Sequence, residues 1–318
     1  MQTPLDPDIA AVLPKLPDWN VPGQTAQGAR DLLTAIAQSR KDLPLPQPHS
    51  IENRVIEEAI EVRIYRGALT AAPTIVFFHG GGFVAGDLDT HDRQARWLAV
   101  DVGAVVVSVH YRRPPEAKFP AAFDDALAVT RWAAAHVAEL GGLPGALGVA
   151  GDSAGGNLAA AVAIACRDQG LALAAQLLVY PVTDCAGVYR DANDAYPSRE
   201  QNREGYFLTL AVMRWFCEQY FVDSAQGRDP RASPMHCENL AGLAPAVVCT
   251  AQYDPLRDEG IAYAARLRRA GVVVREHFGA GLIHGYFGMV DSIASAAEEG
   301  RKVRADFAEL LRQGAGLY

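Results

Sequence analysis

The chain has no C-x-x-C pair among its 5 cysteines, Cys166, Cys185, Cys217, Cys237 and Cys249. An odd, scattered set is not a disulfide framework; it reads as reduced thiols in a reducing compartment. Cys249 falls in an apolar run and reads as a small core hydrophobe. His236 and Cys237 are adjacent and point apart, so they make a poor ligand pair and no metal site is expected. No apolar run approaches a membrane span. The N-terminus shows no basic segment followed by an apolar one, and the expected location is cytoplasmic, away from the membrane. Positive charge is also short. Lys and Arg number 29 against 37 Asp and Glu, a formal net charge of −8, which argues against nucleic-acid partners and fits a neutral small-molecule substrate. No G-x-G-x-x-G follows a strand-like run, which removes the usual dinucleotide site, and no cofactor is expected. No internal repeat is visible.

What is present is a hydrophobic alternation. Half of the residues are apolar, ample for a core on both faces of a sheet. Strand-like runs occur near 74–79, 104–110, 147–152, 175–181, 246–252 and 272–278. Helix-like runs fill the intervals near 91–102, 121–140, 154–169, 257–270 and 286–313. Alternating β and α predicts an α/β fold, a mostly parallel central sheet covered by helices on both faces. Residues 55–66 alternate in polarity and suggest an antiparallel edge strand ahead of it.

Two segments break the rhythm. Residues 1–48 are rich in proline around one helix-like stretch near 26–40. Residues 184–222 are an aromatic-rich insertion in which Leu210, Met213, Phe216 and Cys217 recur at helical spacing. The reading is that 1–48 and 184–222 form a cap, or lid, over a catalytic core made of 49–183 and 223–318.

The chemistry begins at Gly151-Asp152-Ser153-Ala154-Gly155, a G-x-S-x-G between the apolar run Leu147–Ala150 and a helix-like run. A serine at such a corner is forced into a tight turn that lifts its hydroxyl clear of the sheet. Upstream, Thr74–Phe78 empties into His79-Gly80-Gly81-Gly82-Phe83. Consecutive glycines cost entropy to order; here Gly80 and Gly81, with Ala154, are expected to point N–H groups at an oxyanion. His79 reads as a structural hydrogen-bonder beside that loop, Gly82 as part of its support, and Asp152 as a structural acceptor beside the nucleophile.

The acid and the histidine should follow in that order. Asp254 ends the strand-like run Ala246–Ala251, where parallel sheets keep their chemistry. Asp258 is its rival, better suited to capping the next helix. Of 8 histidines, His277 lies inside a strand-like run, and His49, His91, His110, His136 and His236 precede Asp254. His284, in the glycine-bearing loop after that strand, is the expected base, with Asp254 fixing its tautomer.

These motifs resemble the hormone-sensitive-lipase-like branch of the α/β-hydrolase superfamily, the bacterial carboxylesterase family IV. The likeness rests on His79-Gly80-Gly81-Gly82-Phe83, Tyr111-Arg112, Phe119-Pro120-Ala121-Ala122-Phe123-Asp124-Asp125, Gly151–Asn157, Asp254–Gly260 and His284-Gly285-Tyr286. It implies an α/β-hydrolase fold with a mobile cap, the triad Ser153, Asp254 and His284, and the oxyanion donors Gly80, Gly81 and Ala154. It also implies hydrolysis of short- to medium-chain or aryl esters through an acyl-enzyme. Arg112-Arg113-Pro114-Pro115-Glu116 departs from the family pattern, with an expected effect on local packing or substrate entry. Two other readings stay open at this point: a hydrolase of another acyl bond (amide, lactone or glyceride), and a non-catalytic ligand-binding relative. The run Val272–Phe278 reads as an exposed edge strand, and such edges pair, which points to a homodimer.

Overall fold

A computed structural model describes residues 3–19, 23–57, 59–68, 70–189 and 195–316. In chain order it contains α1 (Pro7–Val12), α2 (Ala26–Gln38), β1 (Ser50–Ile56), β2 (Ile60–Arg66), β3 (Ala72–Phe78), α3 (Asp92–Asp101), β4 (Val105–His110), α4 (Ala121–Ala135), β5 (Gly142–Asp152), α5 (Ala154–Asp168) and β6 (Ala175–Val179). There follow α6 (Ser198–Gln201), α7 (Leu210–Tyr220), β7 (Ala246–Tyr253), α8 (Arg257–Arg269), β8 (Val274–Ile283) and α9 (Ala294–Gly314). The strands form one sheet in the order β1-β2-β4-β3-β5-β6-β7-β8. β1 and β2 run antiparallel, as do β2 and β4; every later pairing is parallel. This is the α/β fold with helices on both faces that the alternation predicts.

β3 and β6 are buried along their whole length, as expected of strands covered on both sides. Their side chains alternate between two cores. Val76 and Phe78 belong to the core that α4, α5 and α8 share; Ile75 and Phe77 belong to the one that α3 and α9 share. The strand order reverses at β3, with β4 on one side and β5 on the other, and such a switch point leaves a crevice at the carboxyl ends of the strands. Phe78 of β3 lies in register with Gly151 of β5. The glycine loop and the serine turn therefore leave the sheet side by side.

Three expectations change. Residues 55–66 are not one strand but parts of the β1–β2 hairpin; the alternation breaks between Ile56 and Ile60, and Glu57 takes a positive φ of 47° there. The final helix-like run splits into a 3-10 turn, Tyr286–Gly288, and α9. β8 continues through Gly279-Ala280-Gly281 to Ile283, so His284 follows the strand directly rather than a long loop.

The N-terminal segment and the insertion pack on each other. Trp19 meets Phe207 and Phe216 edge-on, with ring centroids 6.1 and 5.8 Å apart. α7 starts at Thr209, whose hydroxyl accepts the Val212 N–H at 3.2 Å. It buries the expected face of Leu210, Met213, Phe216 and Cys217. Residues 1, 2, 20–22 and 190–194 of these two segments lie outside the described residues.

Candidate active site

Ser153 sits between β5 and α5 with φ 56° and ψ −117°, a region L-residues rarely occupy. The turn is held by bonds on both sides: its N–H donates to Val179 O at 2.9 Å, and its carbonyl accepts from Asn157 and Val182 at 3.0 and 3.2 Å. Only glycine fits at Gly155, where a Cβ would stand 1.9 Å from the carbonyl oxygen of Phe78. The serine corner and the end of β3 are thus pressed together by the sequence itself.

His284 Nε2 lies 3.0 Å from Ser153 Oγ, and its Nδ1 lies 2.7 Å from Asp254 Oδ2. A carboxylate only accepts, so Nδ1 carries the proton and Nε2 presents its lone pair to the serine hydroxyl. Asp254 is fully buried; its Oδ1 accepts the Leu256 N–H at 2.8 Å, which fixes the carboxylate plane. Asn202 donates to the Asp254 carbonyl at 3.1 Å. Asp258 takes a different place from the helix cap expected of it. It lies in the first turn of α8, and its carboxylate accepts the Ser198 N–H at 2.7 Å, at the start of α6. His277 lies within β8, bonded to Glu299 and Asp306 of α9.

The glycine loop corrects one assignment. Gly80 donates its N–H to Asp152 Oδ1 at 3.1 Å and approaches His91 Nε2 at 3.2 Å, so it has no N–H left for an oxyanion. Gly81, Gly82 and Ala154 donate no backbone hydrogen bond among the described residues. Gly81 and Gly82 line the same cavity as Ser153. Gly81 has φ 109° and a Cβ there would meet Ala85 O at 2.4 Å, which is why this position must be glycine. The free set is therefore Gly81, Gly82 and Ala154, and the shift from Gly80 to Gly82 follows from the carboxylate beside the serine.

His79 is buried and its Nδ1 donates to Gly80 O at 2.8 Å, while its ring stacks on Tyr111 at 4.1 Å. Burial holds its pKa well below the usual histidine value, so the ring is neutral. Tyr111 donates to His79 O at 2.8 Å, and Arg112 clasps the buried Asp125 through its backbone N–H at 2.8 Å and through its guanidinium. The divergent Arg113 donates to the carbonyl of Gly86 and lies 3.1 Å from His110 Nε2, which supports the glycine loop from behind. His91 and Tyr180 were not singled out by the motifs. His91 faces Asp152 at 3.6 Å across Gly80. Tyr180 has φ 34° and its ring centroid lies 4.5 Å from that of His284. The signal for His91 was its place just after the glycine loop, at the start of α3.

Above Ser153 is a cavity of about 400 Å³. Its walls include Trp19, Leu33, Phe207, Met213 and Phe216, so both irregular segments border it. No group of three or more metal-ligating side chains is found among the described residues, and no described helix is long and apolar enough to cross a membrane.

A family model described as an alpha/beta hydrolase fold matches residues 75–288. The chain is 42% identical over 284 residues to Esterase LipI of Mycobacterium tuberculosis, covering 84% of this chain and 85% of that protein. The chain belongs to the hormone-sensitive-lipase-like carboxylesterase family of the α/β-hydrolase superfamily. Another relative within reach of this family is an arylesterase of Saccharolobus solfataricus, 33% identical over 291 residues, with 90% of this chain and 93% of that protein covered. The crystal structure of a thermostable esterase from Pseudomonas putida superposes with a TM-score of 0.88 at 35% identity, covering 97% of this chain and 98% of that one.

Proposed function

We propose that this family member hydrolyses carboxylic esters through an acyl-enzyme, with Ser153 as nucleophile, His284 as general base and Asp254 as its orienting acid. The observation that carries the reading is the 3.0 Å Ser153–His284 contact beside the 2.7 Å His284–Asp254 contact, in a cavity that also presents unpaired N–H groups at Gly81 and Gly82. His284 Nε2 takes the serine proton as Oγ attacks the ester carbonyl. The N–H groups of Gly81, Gly82 and Ala154 hold the resulting oxyanion. Asp254 stabilises the imidazolium. The imidazolium then protonates the departing alkoxide, and water, deprotonated by the same nitrogen, releases the acid. His79 and Asp152 position the loop and stay out of proton transfer.

The 1–48 and 184–222 segments act as the cap that walls the acyl and alcohol pockets. A short- to medium-chain or small aryl ester suits a cavity of about 400 Å³. Five free, buried thiols support a reducing, cytoplasmic setting. β8 forms a margin of the sheet with Phe278 49% exposed, which supports a homodimer paired along that edge.

The test is 4-nitrophenyl butyrate turnover by the wild type and by Ser153→Ala, beside an anilide and a triglyceride emulsion. Rapid release of nitrophenol that collapses in the variant supports the reading. A variant as fast as its parent, or an anilide cleaved in preference to the ester, overturns it.

A further inference from the structure

The cavity over Ser153 is lined by two unlike sets of side chains. One is apolar and includes Trp19, Phe207, Met213 and Phe216. The other is charged, and most of its members are matched. Asp89 pairs with Arg63 at 2.8 Å, and Asp92 with Arg96 at 2.6 Å. Asp87 accepts the N–H groups of Asp89 and Thr90 at 3.0 and 2.8 Å. Arg93 is engaged by the Asp291 carboxylate and by the carbonyls of Arg40, Leu43 and Pro44.

Two cations are not matched by a carboxylate among the described residues, the exposed Lys41 and Arg40. Arg40 is partly buried, lines the cavity, and donates from Nη1 to the carbonyl of Gly288. Among the described residues no carboxylate lies within ion-pair distance of it; Asp291, whose charge acts on it, holds Arg93 through Oδ2. Burial pushes its pKa down; the Asp291 charge opposes that push and Arg93 adds to it. With Nη1 committed to Gly288, the guanidinium of this cavity-lining residue keeps further donors for an incoming anion.

Its position indicates which part of a substrate it would meet. Gly288 closes the 3-10 turn that follows His284. Arg40 thus lies on the histidine side of the serine. The leaving alcohol has to collect its proton from His284 Nε2, so it departs on that same side.

We infer that the enzyme selects esters whose alcohol portion bears a carboxylate, and that Arg40 is the residue that recognises it. This rests on the acyl-enzyme reading above and deepens it by naming a substrate class. The competing role for Arg40 is a clamp that holds the end of α2 onto the core through Gly288. A clamp affects all esters alike; a recognition residue separates charged from neutral ones.

The experiment compares 3- and 4-acetoxybenzoate with their methyl esters, using wild type, Arg40→Gln and Arg40→Lys. The ratio of kcat/KM for the anion over the neutral ester should fall about tenfold in Arg40→Gln, as expected for one charge-assisted hydrogen bond. The loss should sit mainly in KM for the anion, and Arg40→Lys should keep part of the ratio. A ratio that does not change, including a parallel fall on both esters, overturns the inference and leaves the clamp. A second arm uses 4-nitrophenyl hemisuccinate against 4-nitrophenyl pentanoate. An Arg40-dependent preference found there and absent from the acetoxybenzoates overturns the assignment to the alcohol side. Failure of the underlying reading looks different: the neutral methyl esters would then show no Ser153-dependent turnover at all.

Discussion

Asp152 Oδ1 accepts the Gly80 N–H at 3.1 Å, so the residue next to Ser153 in sequence also holds the loop that lies across from it. This bond joins the ends of β3 and β5, and it sets where the N–H groups of Gly81 and Gly82 point. Removing the carboxylate leaves Gly80 held by His79 and His91. Asp152→Ala should lower kcat by roughly 10- to 100-fold with a smaller change in KM, short of the loss for deleting an oxyanion donor outright. Asp152→Asn keeps an acceptor oxygen and should retain most of the activity. Steady-state kinetics on one activated ester checks both, and an Asp152→Ala enzyme with wild-type kcat would refute the role.

That bond also marks the limit of what the sequence could reveal. That Ser153, Asp254 and His284 would meet was legible because strand, turn and chain order constrain each of them. Three glycines in a row looked alike, and which two present free N–H groups depended on a carboxylate 72 positions away. The β1–β2 hairpin was blurred for a simpler reason: Ile56 and Ile60 are both apolar, and the break between them spans few residues. Arg40 was silent, since its meaning comes from Gly288 and Asp291, far along the chain. The departure at Arg113 was visible and resolves into packing behind the glycine loop, through Gly86 and His110.

Phe216 of α7 lies directly on the glycine loop: a Cβ on Gly82 would stand 2.2 Å from its ring. The ring therefore closes the cavity beside the expected oxyanion. Phe216→Ala should open that end and shift the preferred acyl chain toward longer 4-nitrophenyl esters, by two carbons or more. It should also lower stability, with about 3–5 kcal/mol as the range for a fully packed Phe and less at a cavity wall. An unaltered chain-length profile in a folded variant would show that the acyl group lies elsewhere.

Arg199 of α6 and Glu259 of α8 form an ion pair in which both side chains are 0% exposed. Arg199 also donates to the Asp184 carbonyl at 2.8 Å, and Glu259 accepts the Thr183 N–H at 2.6 Å. The insertion is thereby bolted to the helix that follows Asp254. Arg199→Met leaves a buried carboxylate without its cation and should cost about 3–5 kcal/mol. Adding Glu259→Gln removes that orphaned charge and keeps an acceptor for Thr183, so the double variant should be more stable than Arg199→Met alone. Urea unfolding of the wild type, both single variants and the double variant decides it; simple addition of the two losses would contradict the coupling.

His277 links the marginal strand β8 to α9, with Nδ1 3.1 Å from Glu299 Oε1 and Nε2 2.9 Å from Asp306 Oδ2. Lys302 and Arg275 also face these carboxylates, at 3.8 and 2.9 Å. The hydrogen bond to Glu299 raises the His277 pKa; burial opposes it, and Asp306 adds to the rise. The folded protein therefore binds this proton more tightly than the unfolded chain does. Its contribution to stability is complete below the unfolded histidine value of about 6.5 and is lost as pH rises through the higher folded value. Replacing the ring by glutamine removes the titration, so wild type should exceed His277→Gln in melting temperature by more at pH 6 than at pH 8.5. A gap that widens toward alkaline pH would mean that the ring is held neutral between α9 and β8, and that the two carboxylates are satisfied instead by Lys302 and Arg275.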